Sequence, residues 1–212
     1  VKIVLDLAAG TGKLTRTLVR RFGQVVAVEP LDEMRALGER LVPGAEWRRG
    51  TAEGIPLADL SVDAAFVADA FHWFDSQKAV AELARVVRPA GMVVVMFATW
   101  DGTWEPELPD EAGTAIEEVS RRTGQIGAPK FQRGDWRAGF ADSPFGDLDQ
   151  RDVPFEHEAG RDGVIAYYLS MSTVAARPAA EREELAARLR ELVPESRFRL
   201  RLRAETFRTR RL

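Results

Sequence analysis

The chain has 212 residues, 45% of them hydrophobic and 30% charged, with a formal charge of −3, the profile of an ordinary globular protein rather than a disordered one. It holds no cysteine, which excludes disulfides, thiolate metal sites and thiol nucleophiles together, and its acidic balance offers no general attraction for a polyanion such as nucleic acid. No apolar run approaches the roughly 18 residues of a membrane span and no secretory leader is visible, so no membrane partner and a cytoplasmic location are expected.

Val1 to Leu7 is a nearly continuous apolar run, as in a parallel strand covered on both faces. The small-residue segment Ala8 to Gly12 follows, and Leu14, Leu18 and Phe22 at four-residue spacing predict a helix that Gly23 ends. Val25 to Val28 reads as a second strand closing on Glu29, and Asp32 to Leu41 as a helix ending near Pro43-Gly44. Glu46 to Arg49 is a weak third strand before the Gly50–Glu53 loop, and Val62 to Ala68 is an apolar fourth. Ser76 to Val87 has helical spacing closed by Pro89 and Gly91, and Met92 to Phe97 is the fifth strand. Strands and helices in this alternation predict a doubly wound, mainly parallel sheet.

Residues Thr99 to Gly146 break the pattern, with Trp100, Trp104, Phe131, Trp136 and Phe140 among glycines and prolines and one helix at about Asp110 to Arg122. The stretch is too long for an ordinary connection and reads as a cap or insertion, 99–146, within a single domain spanning 1–212. Its tryptophans either line a substrate chamber or form the cap's own core, and the sequence leaves both open. A strand near Leu148 to His157 and helices near Gly163 to Ser172 and Ala179 to Leu192 follow. From Phe198 to Leu212, Arg199, Arg201 and Arg203 alternate with Phe198, Leu200 and Leu202. That alternation predicts a seventh, half-buried strand whose arginines face water rather than nucleic acid.

The loop after the first strand admits three ligands. A phosphate loop needs Ser or Thr directly after the Gly-Lys pair, and Leu14 stands there after Gly12-Lys13. A nicotinamide loop matches at Gly10 and Gly12 but meets Thr15 where a third small residue belongs. That alternative, an oxidoreductase, also lacks a recognisable catalytic constellation. The third ligand is S-adenosylmethionine, and for it several segments agree in order.

Val4 to Gly12, Val26-Ala27-Val28-Glu29-Pro30, Gly50 to Leu57, and Ser61-Val62-Asp63 with Ala70 to Asp75 resemble the successive motifs of class I S-adenosylmethionine-dependent methyltransferases of the methyltransferase-11 type. The resemblance implies a Rossmann-like α/β fold with a seven-stranded sheet whose last strand runs antiparallel. It further implies methyl transfer from S-adenosylmethionine to a small-molecule acceptor. By the same resemblance the backbone of Ala8, Gly10 and Gly12 meets the methionyl part, and Asp6 organises the loop. Glu29 takes the ribose hydroxyls, Pro30 and Met34 line the adenine face, and Thr51, Ala52 and Glu53 meet its edge. Ala68 and Asp69 lie near the methionyl amine.

Ala8 replaces the family's first glycine, and Thr51 replaces an aspartate often found at the adenine edge. The family's leading helices are expected ahead of Val1, which already stands inside the first strand. His72 is either a general base or, with Trp73, pocket wall; Phe71, Trp73 and Trp100 are the candidate acceptor contacts. No metal is implied. A non-catalytic cofactor- or partner-binding domain of the same frame is the remaining alternative, and neither the acceptor nor the oligomeric state is encoded in a readable motif.

Overall fold

A computed structural model describes residues 2–121, 135–175 and 177–212. In chain order the elements are β1 (Ile3–Leu7), α1 (Thr15–Leu18), β2 (Gln24–Val28), α2 (Asp32–Leu41), β3 (Glu46–Arg48) and β4 (Val62–Ala68). A 3-10 turn (Phe71–Trp73), α3 (Ser76–Val86), β5 (Val87–Glu105), α4 (Asp110–Arg121) and a second 3-10 turn (Asp135–Phe140) follow. The chain closes with β6 (Asp149–Gly160), α5 (Arg161–Leu169), α6 (Ser172–Ala175), α7 (Ala179–Leu192) and β7 (Arg197–Arg210). The strands form one seven-stranded sheet in the order β3-β2-β1-β4-β5-β7-β6. The β1/β2, β1/β4, β2/β3 and β4/β5 pairs are all parallel. β7 runs antiparallel to β5: Ala90 and Gly91 bond Arg211, while Thr99 bonds the Arg203 carbonyl further along. The doubly wound, mainly parallel sheet expected from the sequence is the fold observed.

Three elements differ from expectation. The helix after Gly12 is four residues long, and the spacing of Leu14, Leu18 and Phe22 continues as turns in which Arg21 and Phe22 both bond the Leu18 carbonyl. β5 starts at Val87 and runs to Glu105. Pro89 and Gly91 therefore lie inside a strand, at a register shift where Val62 pairs Val87 but Ala64 pairs Met92. Thr99 to Glu105, expected in the cap, continues that strand, and Arg122 and Phe131 fall outside the described residues.

The described chain divides into two compact units, residues 2–97, 135–152 and 205–212 in one and 98–121, 153–175 and 177–204 in the other. The first holds a core of Leu5, Leu7, Val28, Val67, Leu83, Val95 and a run of aromatic rings. Trp136 sits in that run, with ring centroids 5.5 Å from Phe71, 5.5 Å from Phe97 and 5.0 Å from Phe207. The second unit has its own core, in which Trp104, Ile116, Ile165, Leu185 and Leu189 meet Phe198, Leu200 and Leu202 of β7. Arg199 and Arg201, which alternate with those residues, are exposed and face carboxylates, Glu156 at 3.6 Å and Glu105 at 3.4 Å, whereas Arg203, expected to face water, is half-buried. Trp104 and Trp136 are thus each core residues of a different unit, and the side chain of Trp100 lies outside the described residues.

Because Phe207 is fully buried against Phe97 and Trp136, its deletion leaves a cavity that rigid neighbours fill only in part. Phe207→Ala should lower the unfolding free energy by about 3–5 kcal/mol, whereas the exposed Leu212→Ala should change it by no more than about 0.5 kcal/mol. Urea unfolding compares the two, and equal losses would contradict this placement of the ring.

Candidate active site

The loop between β1 and α1 has a left-handed backbone, with φ of 57° at Ala8, 58° at Gly10 and 84° at Gly12. Left-handed torsions turn backbone N–H groups out of the strand ladder, so each needs an acceptor elsewhere. Ala9 N–H finds the Val28 carbonyl at 3.1 Å and Gly12 N–H the Ala9 carbonyl at 2.9 Å. Gly10 N–H donates to Glu29 Oε2 at 2.9 Å, and Leu31 N–H donates to Oε1 of the same carboxylate at 3.0 Å. Glu29 is 4% exposed, and its carboxylate staples the loop to the end of β2. A Cβ built on Gly10 would meet nothing within 4 Å, so the loop borders open space there. On Gly12 a Cβ would press on Val42 at 3.0 Å and the Trp47 ring at 3.2 Å, which fixes the loop from behind.

Asp6, at 1% exposure, accepts the Thr15 hydroxyl at 2.6 Å. Burial pushes its carboxyl up to about 7; the Thr15 hydroxyl and amide act against the rise, and the neighbouring Glu29 charge adds to it. Thr15, which the sequence offered only as a mismatch to a nicotinamide loop, is the buried partner of this acid. Pro30 is exposed, as are Leu31 at 56% and Met34 at 42%. An apolar shelf therefore stands beside the Glu29 carboxylate, and Leu31, absent from the expected set, is more open than Met34.

The other expected residues divide. Thr51 and Glu53 are exposed on a tight turn closed by the Thr51/Gly54 bridge, while the Ala52 side chain is buried in the core. Glu53 Oε1 accepts Asp75 N–H at 3.0 Å, so the turn is tied to the start of α3. Ala68 is half-buried, and Asp69 is exposed with φ 49°, its N–H bonding the Met96 carbonyl at 2.8 Å. Phe71 is buried, and Trp73 is 45% exposed. His72 is half-buried, 4.8 Å from the Trp73 ring and 6.1 Å from Phe97, and burial holds its imidazole below the ordinary histidine value. A cleft of about 310 Å³ borders it, lined by Phe71, Phe74, Asp75, Ser76, Trp136 and Ala138 among others. Among the described residues no group of three or more His, Asp and Glu could hold a metal, and no helix is long and apolar enough to cross a membrane.

Residues 5–95 match a family model described as a methyltransferase domain. An uncharacterised methyltransferase of Mycobacterium bovis is 46% identical over 121 residues, which are 56% of this chain and 50% of that protein; the chain thus spans about half the length of its mycobacterial relatives. An uncharacterised methyltransferase-like protein of Schizosaccharomyces pombe is 32% identical over 195 residues, 90% of this chain and 72% of that one. Among solved structures, a protein of Anaeromyxobacter dehalogenans assigned as a type II methyltransferase superposes with TM-score 0.68 at 25% identity, covering 99% of this chain and 90% of the other. A geranyl diphosphate C-methyltransferase of Streptomyces coelicolor, solved with S-adenosyl-L-homocysteine, shares the fold at TM-score 0.55 and 14% identity, over 100% and 73% of the two chains.

Two measurements test the loop. The left-handed torsion at Ala8 costs an L-residue about 1–2 kcal/mol, so Ala8→Gly should stabilise the chain by about 1 kcal/mol in urea unfolding; a loss would mean the torsion is not left-handed. The second concerns Asp6, whose carboxyl has the ordinary value of 3.8 when unfolded and about 7 when folded. Between those values the native state holds the additional proton, so the Asp6 contribution to stability is lost as pH rises through that window. The Asp6→Asn variant keeps an acceptor for Thr15 and should show a flatter stability profile there than the parent chain. Parallel profiles would refute a buried acid.

Proposed function

The chain belongs to the class I S-adenosylmethionine-dependent methyltransferase family, and on that premise we propose that it binds S-adenosylmethionine at the β1–α1 loop and transfers its methyl group to a small-molecule acceptor. The observation that carries the reading is the buried Glu29 carboxylate, bonded to Gly10 N–H at the mouth of an open, left-handed loop and flanked by exposed Leu31 and Met34. Each carboxylate oxygen accepts one backbone N–H and keeps a second lone pair, so the residues fit a ribose diol beside the apolar shelf. Thr51 and Glu53 would meet the adenine edge, with Pro30, Leu31 and Met34 on its face. Asp6 would hold the loop, and Ala68 and Asp69, at the end of β4, would lie by the methionyl amine.

When bound, S-adenosylmethionine supplies a methyl carbon on a sulfonium sulfur, to which the acceptor's lone pair bonds in line as the carbon–sulfur bond breaks and its electrons stay on sulfur. The chain's task is alignment and exclusion of water. His72 is neutral at pH 7, since burial lowers its affinity for a proton. Its Nδ1 is buried, which leaves Nε2 to take the acceptor's proton. In this reading residues 1–212 are a single methyltransferase domain, and the stretch 99–146 bears on acceptor choice.

Calorimetric titration with S-adenosylhomocysteine tests the assignment. The parent chain should bind it, and Glu29→Ala should weaken binding at least tenfold, about 1.4 kcal/mol, with Glu29→Gln intermediate because one acceptor oxygen survives. Retained affinity in Glu29→Ala would remove the site, and NADH binding in place of S-adenosylhomocysteine would replace the function with that of an oxidoreductase.

A further inference from the structure

The chain between Gly50 and Ser61 joins β3 to β4 without a strand or helix of its own. β3 delivers it to the end of the sheet, and Pro56 has no N–H with which to join a ladder. Its own backbone supplies the Thr51/Gly54 bridge and a bond from Leu57 N–H to the Ile55 carbonyl at 2.8 Å. Three consecutive carbonyls, those of Ile55, Pro56 and Leu57, take guanidinium donors. Arg85 Nη2 reaches Ile55 at 2.8 Å and Nη1 reaches Leu57 at 2.7 Å, while Arg48 Nη1 reaches Pro56 at 2.6 Å.

Arg85 stands in the last turn of α3, and all of its N–H donors are used. Besides the two carbonyls, Nη1 meets Asp59 at 2.8 Å, and Nε and Nη2 meet the two oxygens of Glu82, each at 2.7 Å. The Glu82 carboxylate also accepts Ile55 N–H at 2.7 Å, so Glu82 and Arg85 together hold both backbone groups of Ile55. At the start of α3, Asp75 N–H donates to Glu53. The loop is thus tied along one helix from its first turn to its last. The buried side chains of Ala52 and Ile55 set its depth. Its register needs directional donors in a fixed plane, which apolar contact does not provide.

These ties continue without a gap to the β1–α1 loop. Arg48, which holds Pro56, pairs in β3 with Val28, and its carbonyl accepts Glu29 N–H at 3.1 Å. The Glu29 carboxylate in turn accepts Gly10 N–H. At the near end of the loop, a Cβ on Gly50 would lie 2.5 Å from Pro56 Cδ and 3.1 Å from Val28 Cγ1, so the loop is drawn tightly against β2. The spacing between Glu29 and the Thr51–Gly54 turn therefore depends on which carbonyls the two arginines hold.

Resting on the methyltransferase reading, in which Glu29 takes the ribose and Thr51 and Glu53 meet the adenine edge, we propose that Arg85 and Arg48 are positioning residues for base selection. They act through the loop rather than by contact with the base: holding Ile55, Pro56 and Leu57, they set the turn at the spacing from Glu29 at which the Glu53 carboxylate faces a 6-amino group. The 6-amino group of adenine donates a hydrogen bond, whereas the 6-carbonyl of hypoxanthine only accepts one. A carboxylate held in register favours the first and repels the second.

S-adenosylhomocysteine and S-inosylhomocysteine differ in the base at that position and serve as the probes in calorimetric titration. The parent chain should prefer the first by about tenfold or more. Arg85→Lys keeps the charge but cannot span two carbonyls and a carboxylate at once. It should cut the preference to about twofold by weakening S-adenosylhomocysteine alone. Arg48→Met removes the Pro56 bond from an edge strand and leaves Arg85 with its partners. It should cut the preference about threefold, and it decides the matter where Arg85→Lys fails to fold. Arg88→Met is the control, because Arg88 holds the Leu60 carbonyl at 2.9 Å and Asp63 at 2.7 Å, beyond the turn; the preference should not change. A merely structural role would weaken both ligands alike. Equal loss of both ligands, an unaltered preference in Arg48→Met, a parent chain that binds the two alike, or an Arg88→Met effect as large as that of Arg48→Met would each overturn the proposal. A parent chain that binds neither ligand would instead overturn the methyltransferase reading.

Discussion

The first unit is organised around one hydrogen bond, from Gly10 N–H to the Glu29 carboxylate. A loop that turns left-handed three times in five residues leaves the Gly10 N–H to a side-chain acceptor, and one of its members is an alanine. Left-handed strain at Ala8 costs about 1–2 kcal/mol. A hydrogen bond to a charged group contributes about 1.5–3 kcal/mol, and Glu29 makes two. The carboxylate therefore more than offsets the strain, and the loop is held open before any ligand arrives. This is preorganisation: groups that would meet a nucleoside are fixed by the fold rather than gathered by binding.

The same arrangement accounts for Asp6. Two buried carboxyl groups, one on β1 and one at the end of β2, cannot both carry charge cheaply in a dry interior. Glu29 has backbone donors for both oxygens, while Asp6 has Thr15 and deeper burial. Burial above all pushes Asp6 toward the protonated form, against the Thr15 hydroxyl and amide and with a smaller push from the Glu29 charge; protonated, it can donate as well as accept.

How much of this could be read from residues alone depends on sequence distance. Gly10, Gly12 and Glu29 lie within 20 residues of one another, and their spacing follows from strand, turn and helix lengths, so the loop and its carboxylate were readable. Leu31 was not, because an apolar residue after a strand signals nothing until its exposure is known. Thr15 looked like a defect in one motif and is the partner of a buried acid. β5 was cut short because Pro89 and Gly91 are ordinary helix-stop signals; pairing with β4 through a register shift overrides them. Trp136 was assigned to a cap on composition, yet it packs in the core of the first unit against rings from β5 and β7, a long-range contact that no local pattern reports.

That difference in sequence distance separates two tasks. The candidate cofactor site is assembled from neighbouring segments between Asp6 and Glu53, each placed by its own strand end. The cleft beside His72 is closed by a turn more than 60 positions further on, through Gly139 pressed on Ser76 and Trp136 seated under Phe71. A side chain changed on the distant wall alters the cleft without entering the Gly10–Glu29 bond, and a change in the loop leaves the wall on its aromatic footing. Sites coupled only through a rigid core respond to substitution almost independently. Short sequence distances thus place the loop, and long ones place the wall.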